Sequence, residues 1–107
     1  MPDSANIVVL ITTSAEAEAR KIAGNLLTRR KAACINIVPR VSSSFWWHNK
    51  LDSAEESLLI VKTKARLLDE IISLVRELHS YEVPEIIALP IIGGNQDYLD
   101  WLDEEVK

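Results

Sequence analysis

The chain has 107 residues and a mass of 12.0 kDa, with 48% hydrophobic and 26% charged residues, which is the balance of a globular domain and not of a disordered chain. A single domain spanning residues 1–107 buries roughly 65% of the surface its unfolded form exposes, enough for a modest core. Twelve Lys and Arg against sixteen Asp and Glu give a net charge of −4, a surface that disfavours nucleic-acid phosphates and anionic membranes as partners.

No apolar run approaches the ~20 residues of a membrane-spanning helix, and Asp3 stands where a signal peptide would be basic. The expected location is therefore the cytoplasm. One cysteine, Cys34, leaves no intrachain disulfide and one soft metal donor per chain.

Residues 7–11 form a continuous apolar run, as in a central strand buried on both faces. Ser14 is the expected N-cap of a first helix over residues 15–31, with Ala19, Ile22, Ala23, Leu26 and Leu27 at helical spacing and Glu16 and Glu18 in its first turn. Residues 33–38 return to β character and continue as one long strand to Trp47, bent near Pro39, which has no N–H for a ladder. His48-Asn49-Lys50 reads as a hairpin tip, since Asn tolerates left-handed backbone.

The return strand reaches Thr63, and Leu67, Ile71, Leu74, Val75 and Leu78 mark an amphipathic second helix. A last strand covers residues 86–92. Gly93-Gly94 breaks it, and Asn95 caps a short terminal helix ending near Glu105. The order βαββαβ plus a C-terminal helix is an α+β, ferredoxin-like sandwich with a long central hairpin. Two helices cover one sheet face, so the other face and the hairpin need a second subunit.

Three aromatics, Phe45, Trp46 and Trp47, flank the turn and read first as oligomer packing. His79, Tyr81, Glu82 and Glu85 gather where the last strand begins. An imidazole beside carboxylates suits Cu(II) or Zn(II), so His79 and Glu82 are candidate ligands; a histidine ending a helix also has a structural reading through the dipole. Glu56 and Lys62 share the return strand, where an inward charge needs a partner, and a salt bridge between them is the simplest expectation. His48 at the tip reads as solvated. There is no glycine-rich phosphate loop, CxxC or hydrolase elbow, so the expected activity is not enzymatic.

Five ordered strings carry a family resemblance: AACINIVP at 32–39, VSSSFWWHNKL at 41–51, IVKT at 60–63, SYEVPEIIALPII at 80–92 and GGNQDYLDWL at 93–102. Together they resemble the CutA divalent cation tolerance family along almost the whole chain. The resemblance implies a homotrimeric ferredoxin-like protein linked to copper and other divalent metal ions, with Cys34 facing an inter-subunit cleft. It also makes Trp47, Glu56, Lys62, Tyr81 and Glu85 cleft residues. Metal-binding relatives can carry a cysteine in the first strand and two adjacent histidines ending the second helix. Ile11 and Leu78-His79 stand there instead, leaving Cys34, His79 and Glu82 as the donor set. The alternative is a trimeric scaffold or signalling module that binds a small molecule or protein partner in the same cleft.

Overall fold

The computed structural model of the chain describes residues 2–107. Its elements are β1 (Asn6–Thr13), α1 (Glu16–Thr28), β2 (Cys34–Trp47), β3 (Lys50–Lys64), α2 (Leu68–Leu78, entered through a 3-10 turn at Ala65–Leu67), β4 (Ile86–Pro90) and α3 (Gln96–Glu105). The strands form one sheet in the order β2-β3-β1-β4, every neighbouring pair antiparallel. This is the expected ferredoxin-like arrangement.

Strand side chains alternate in direction, and the alternation in β1 is complete: Ile7, Val9, Ile11 and Thr13 are fully buried. They sit opposite Thr63, Val61, Leu59 and Ser57 of β3. Ile22 and Leu26 of α1, and Ile71 and Val75 of α2, join them in the core. The intervening Val8, Leu10 and Thr12 are only half-buried, which corrects the expectation of burial on both faces. They align with Lys62, Ile60 and Leu58 of β3, and Leu89 and Ile87 of β4 continue the row. Val38, Ile87 and Leu89 on this face remain 41%, 50% and 49% exposed.

Local chemistry shifts several element ends. Ser14 does not cap α1: the N-cap is Ala15, with no side-chain cap. The helix stops at Thr28 because Arg30 adopts φ 58. Its N–H then bonds the Leu27 carbonyl while Lys31 N–H bonds that of Leu26, a Schellman closure achieved without glycine. β4 ends at Pro90, two residues early, although Ile91 N–H still reaches the Asn6 carbonyl at 3.0 Å. Asn95 caps α3 as expected, its side chain accepting from Asp97 N–H at 3.1 Å.

Beyond the Thr13–Ser57 pair β1 ends, and β2 and β3 run on as a two-stranded ribbon. His48 and Asn49, with φ 50 and 63, close it. Two consecutive left-handed residues make the turn whose twist suits a hairpin. Val38 pairs Leu58 and Val41 pairs Glu56, so Pro39 and Arg40 together oppose Ser57. This bulge is the bend expected near Pro39. Its extra residue keeps Val38 and Val41 on one side, and thereby turns Phe45 and Trp47 to the side of Glu56.

The adjacent pair Leu58 and Leu59 tests the two faces. Leu59→Ala removes a fully buried side chain and is expected to lower the unfolding free energy by about 2–5 kcal/mol. Leu58→Ala, on the half-covered face, is expected to shift the denaturation midpoint of the isolated subunit much less. Equal losses would mean that the core is not one-sided.

Candidate functional site

The ribbon and the segment between α2 and β4 flank a cavity of about 790 Å³ that is open to solvent on one side. Phe45, Trp47, Asp52 and Glu56 line it from the ribbon, and Tyr81, Glu82, Val83 and Glu85 from the opposite wall. Position within the pleat explains the first set. Phe45 pairs Asp52 and Trp47 pairs Lys50, so alternate residues counted from Glu56 face the same way.

His79 builds the second wall. It is the C-cap of α2, its side chain is fully buried, and both ring nitrogens are engaged. Nδ1 accepts from Tyr81 N–H at 3.0 Å, which assigns the proton to Nε2, and Nε2 donates to the Thr12 carbonyl at 2.7 Å. The Glu18 carboxylate stands 3.3 Å from Nδ1 and also accepts from Ser80 N–H. His79 thus clamps the end of α2 to β1 and sets the position of Tyr81, whose ring lies 4.8 Å from the imidazole. With both nitrogens committed it has no lone pair for a metal, which corrects its reading as a ligand.

Tyr81 Oη donates to Glu56 Oε2 at 2.8 Å. Glu56 is only 7% exposed, a buried carboxylate with a neutral hydrogen-bond donor. Burial first, then the hydrogen bond to Glu56 and the Glu56 and Glu18 charges, push the Tyr81 phenol up to about 12.

The expected Glu56–Lys62 salt bridge does not form. Six residues along one strand separate the two by roughly 20 Å, and Lys62 donates instead to Asn36 Oδ1, with its Nζ 4.0 Å from Cys34 Sγ. Tyr98 of α3 stands beside this group; partial burial and then Cys34 push its phenol up. Cys34 and Lys62 form one register pair, whereas the His79 anchor, Thr12, pairs Leu58. Four residues of strand, about 13 Å, lie between.

The structure therefore gathers Trp47, Glu56, Tyr81, Glu82 and Glu85 in one cavity, sets His79 behind its wall and leaves Cys34 and Lys62 outside. Among the described residues no three His, Cys, Asp or Glu side chains group closely enough to hold a metal ion, so Cys34, His79 and Glu82 are not a site within one chain. Sequence reading missed Asp52, whose signal was its place across the hairpin from Phe45.

The family model described as CutA1 divalent ion tolerance protein matches residues 7–105. The divalent-cation tolerance protein CutA of Thermus thermophilus is 48% identical over 97 residues, 91% of this chain and 94% of the relative. The chloroplastic protein CutA 1 of Oryza sativa is 43% identical over 102 residues, 95% of this chain. The chain spans 58% of that relative and 56% of the chloroplastic CutA of Arabidopsis thaliana. The structure of the Thermus thermophilus divalent cation tolerance protein superposes with a TM-score of 0.93 at 46% identity, covering 95% of this chain and 99% of the other. The crystal structure of CutA1 from Oryza sativa gives 0.94 at 42%, covering 98% and 96%.

The Tyr81–Glu56 bond has a signature in alkali. An unfolded tyrosine ionises near its ordinary value of 10, whereas Tyr81 holds its proton to about 12. Its contribution is therefore present below pH 10 and lost as pH rises toward about 12, because unfolding there releases a proton. Denaturation midpoints should fall across that window more in the wild type than in Tyr81→Phe. At neutral pH Tyr81→Phe, which strips Glu56 of its donor, should cost about 1–3 kcal/mol. Parallel pH profiles in the two proteins would dismiss the bond.

Proposed function

The chain belongs to the CutA1 divalent ion tolerance family, and from that membership we propose that it acts in metal tolerance as a homotrimer, binding copper or another divalent cation where subunits meet. The observation that carries this reading is the open sheet face. Val38, Ile87 and Leu89 stand out of water's preferred company on the side that α1 and α2 leave bare, and a further copy of the chain is the simplest cover. Three copies is the count that the family resemblance implies.

Metal donors fit the same scheme. Cys34 supplies a thiol and Glu82 an exposed carboxylate, a mixed set suited to a borderline divalent ion once deprotonated. Neither completes a site within its own chain, so a neighbouring copy must bring the rest. Glu85, also exposed, is the next carboxylate along the wall. The role is binding and not catalysis. A lone cysteine needs no oxidising compartment, which supports the cytoplasm as the setting. Among the described residues no helix is long and apolar enough to cross a membrane.

A second reading, a trimeric scaffold that takes a small molecule or protein partner, is favoured by the cavity itself, which has aromatic walls and a volume of about 790 Å³.

Native mass spectrometry with and without Cu(II) and Zn(II) tests both count and cargo. The expected result is three chains, with metal taken up in proportion to subunits and reduced in Cys34→Ser and Glu82→Gln. Since its nitrogens are engaged in the fold, His79→Ala should instead lower stability by about 1–3 kcal/mol. A stable monomer at micromolar concentration would remove the trimer, and the absence of any uptake would favour the scaffold.

A further inference from the structure

The cavity holds an electrostatic imbalance that neither the fold nor metal binding explains. Among the described residues four carboxylates, Asp52, Glu56, Glu82 and Glu85, line it, and no Lys, Arg or His does. Three of them are exposed and dissipate their charge into water. Glu56 is not: it is 93% removed from solvent by the 7% exposure of its residue, and the hydrogen bond from Tyr81 brings no positive charge. Among the described residues no cation lies within ion-pair reach of it; the nearest basic groups on its strand, Lys50 and Lys62, each stand six residues away, and Lys62 is turned to Asn36. A buried carboxylate lacking a counter-charge is expensive to maintain.

The walls beside that charge are aromatic. Trp47 and Phe45 share the pleat side of Glu56, 42% and 37% exposed, and Tyr81 closes the other side. Aromatic faces attract organic cations through the ring quadrupole, whereas a divalent metal needs several donors converging on a point, which these residues do not provide. Val83, 66% exposed on the opposite wall, extends apolar surface away from the charged end.

We infer that the cavity is a binding site for a small organic ammonium ion carrying an apolar or aromatic arm, with Glu56 supplying the counter-charge and Phe45, Trp47 and Tyr81 the surrounding faces. The site is then an amphipathic pocket in which Glu56 is the one carboxylate removed from water. The ammonium N–H groups bond the Glu56 oxygens that Tyr81 leaves free, and the arm lies along the aromatic wall toward Val83. This inference does not depend on metal binding. It competes instead with a basic side chain from a neighbouring copy as the source of the missing charge.

The test compares benzylammonium with benzyl alcohol, nearly equal in shape and different in charge, by calorimetry on the full chain in its solution assembly with chelator present throughout. The expected result is binding of benzylammonium at least about tenfold tighter than of the alcohol. Glu56→Gln keeps an oxygen for Tyr81 to donate to but loses the charge, and should bring the amine down to the level of the alcohol. Glu104→Gln, an equal loss of charge on exposed α3 surface, should leave the preference intact. Equal affinity for amine and alcohol in the wild type overturns the inference whether or not the Glu56 variant folds, as does a preference that survives Glu56→Gln. No binding at millimolar amine also overturns it.

Discussion

The pairing of β1 with β3 constrains everything else in this molecule. In register from Asn6–Lys64 to Thr13–Ser57, the two strands must place alternate residues on opposite faces. Once Ile7, Val9 and Ile11 meet α1 and α2, Val8 and Leu10 have no choice but to face away, together with Leu58 and Ile60. The chain has only α3 left to spend on that side, and Leu102 is its buried anchor. An apolar face that the chain cannot close is thus a direct product of a two-layer fold in which both long helices pack on the same side.

The same pairing positions the cavity. β1 stops at Thr13, so β2 and β3 continue without a third strand and the ribbon is free to arch over the α2–β4 segment. The bulge at Pro39–Arg40 decides which side chains it presents there: one residue fewer would send Phe45 and Trp47 to the opposite face and put Trp46 beside Glu56. On the other wall, His79 fixes the chain by bonding β1 through Thr12, and the backbone of Tyr81 bonds back to the imidazole. The phenol then reaches Glu56 across the gap. A structural histidine, not a ligand, is what holds the site open.

Period and turn chemistry made most of the architecture legible from sequence. The apolar stripe of α2, the Asn49 turn, the Pro39 bend and the Asn95 cap all rest on local physics that tertiary packing did not override. What escaped was non-local or lacked its usual marker. Arg30 ends α1 in a left-handed conformation normally signalled by glycine, so the helix looked three residues longer. A continuous apolar run in β1 reads the same whether its second face meets a helix or another chain. Five of the eight candidate site residues do share one cavity. The metal set failed to assemble because spacing says nothing of how a nitrogen is already bonded: His79 looked free until Thr12 and Tyr81 were placed beside it. Glu56 and Lys62, on one face yet six residues apart, looked like a pair for the same reason.

Closure of the open face by copies of the chain is the central claim, and solvent access at its methyl groups tests it most directly. In a methyl NMR experiment with a soluble paramagnetic agent at micromolar protein, Leu27 on the outer side of α1, 39% exposed, serves as the reference for a surface methyl. Ile87 and Leu89, which are more exposed than Leu27 in the single chain, are predicted to be shielded nearly as well as the core methyls of Ile11. Broadening of Ile87 and Leu89 equal to or beyond that of Leu27 would show the face bare in solution and contradict the account.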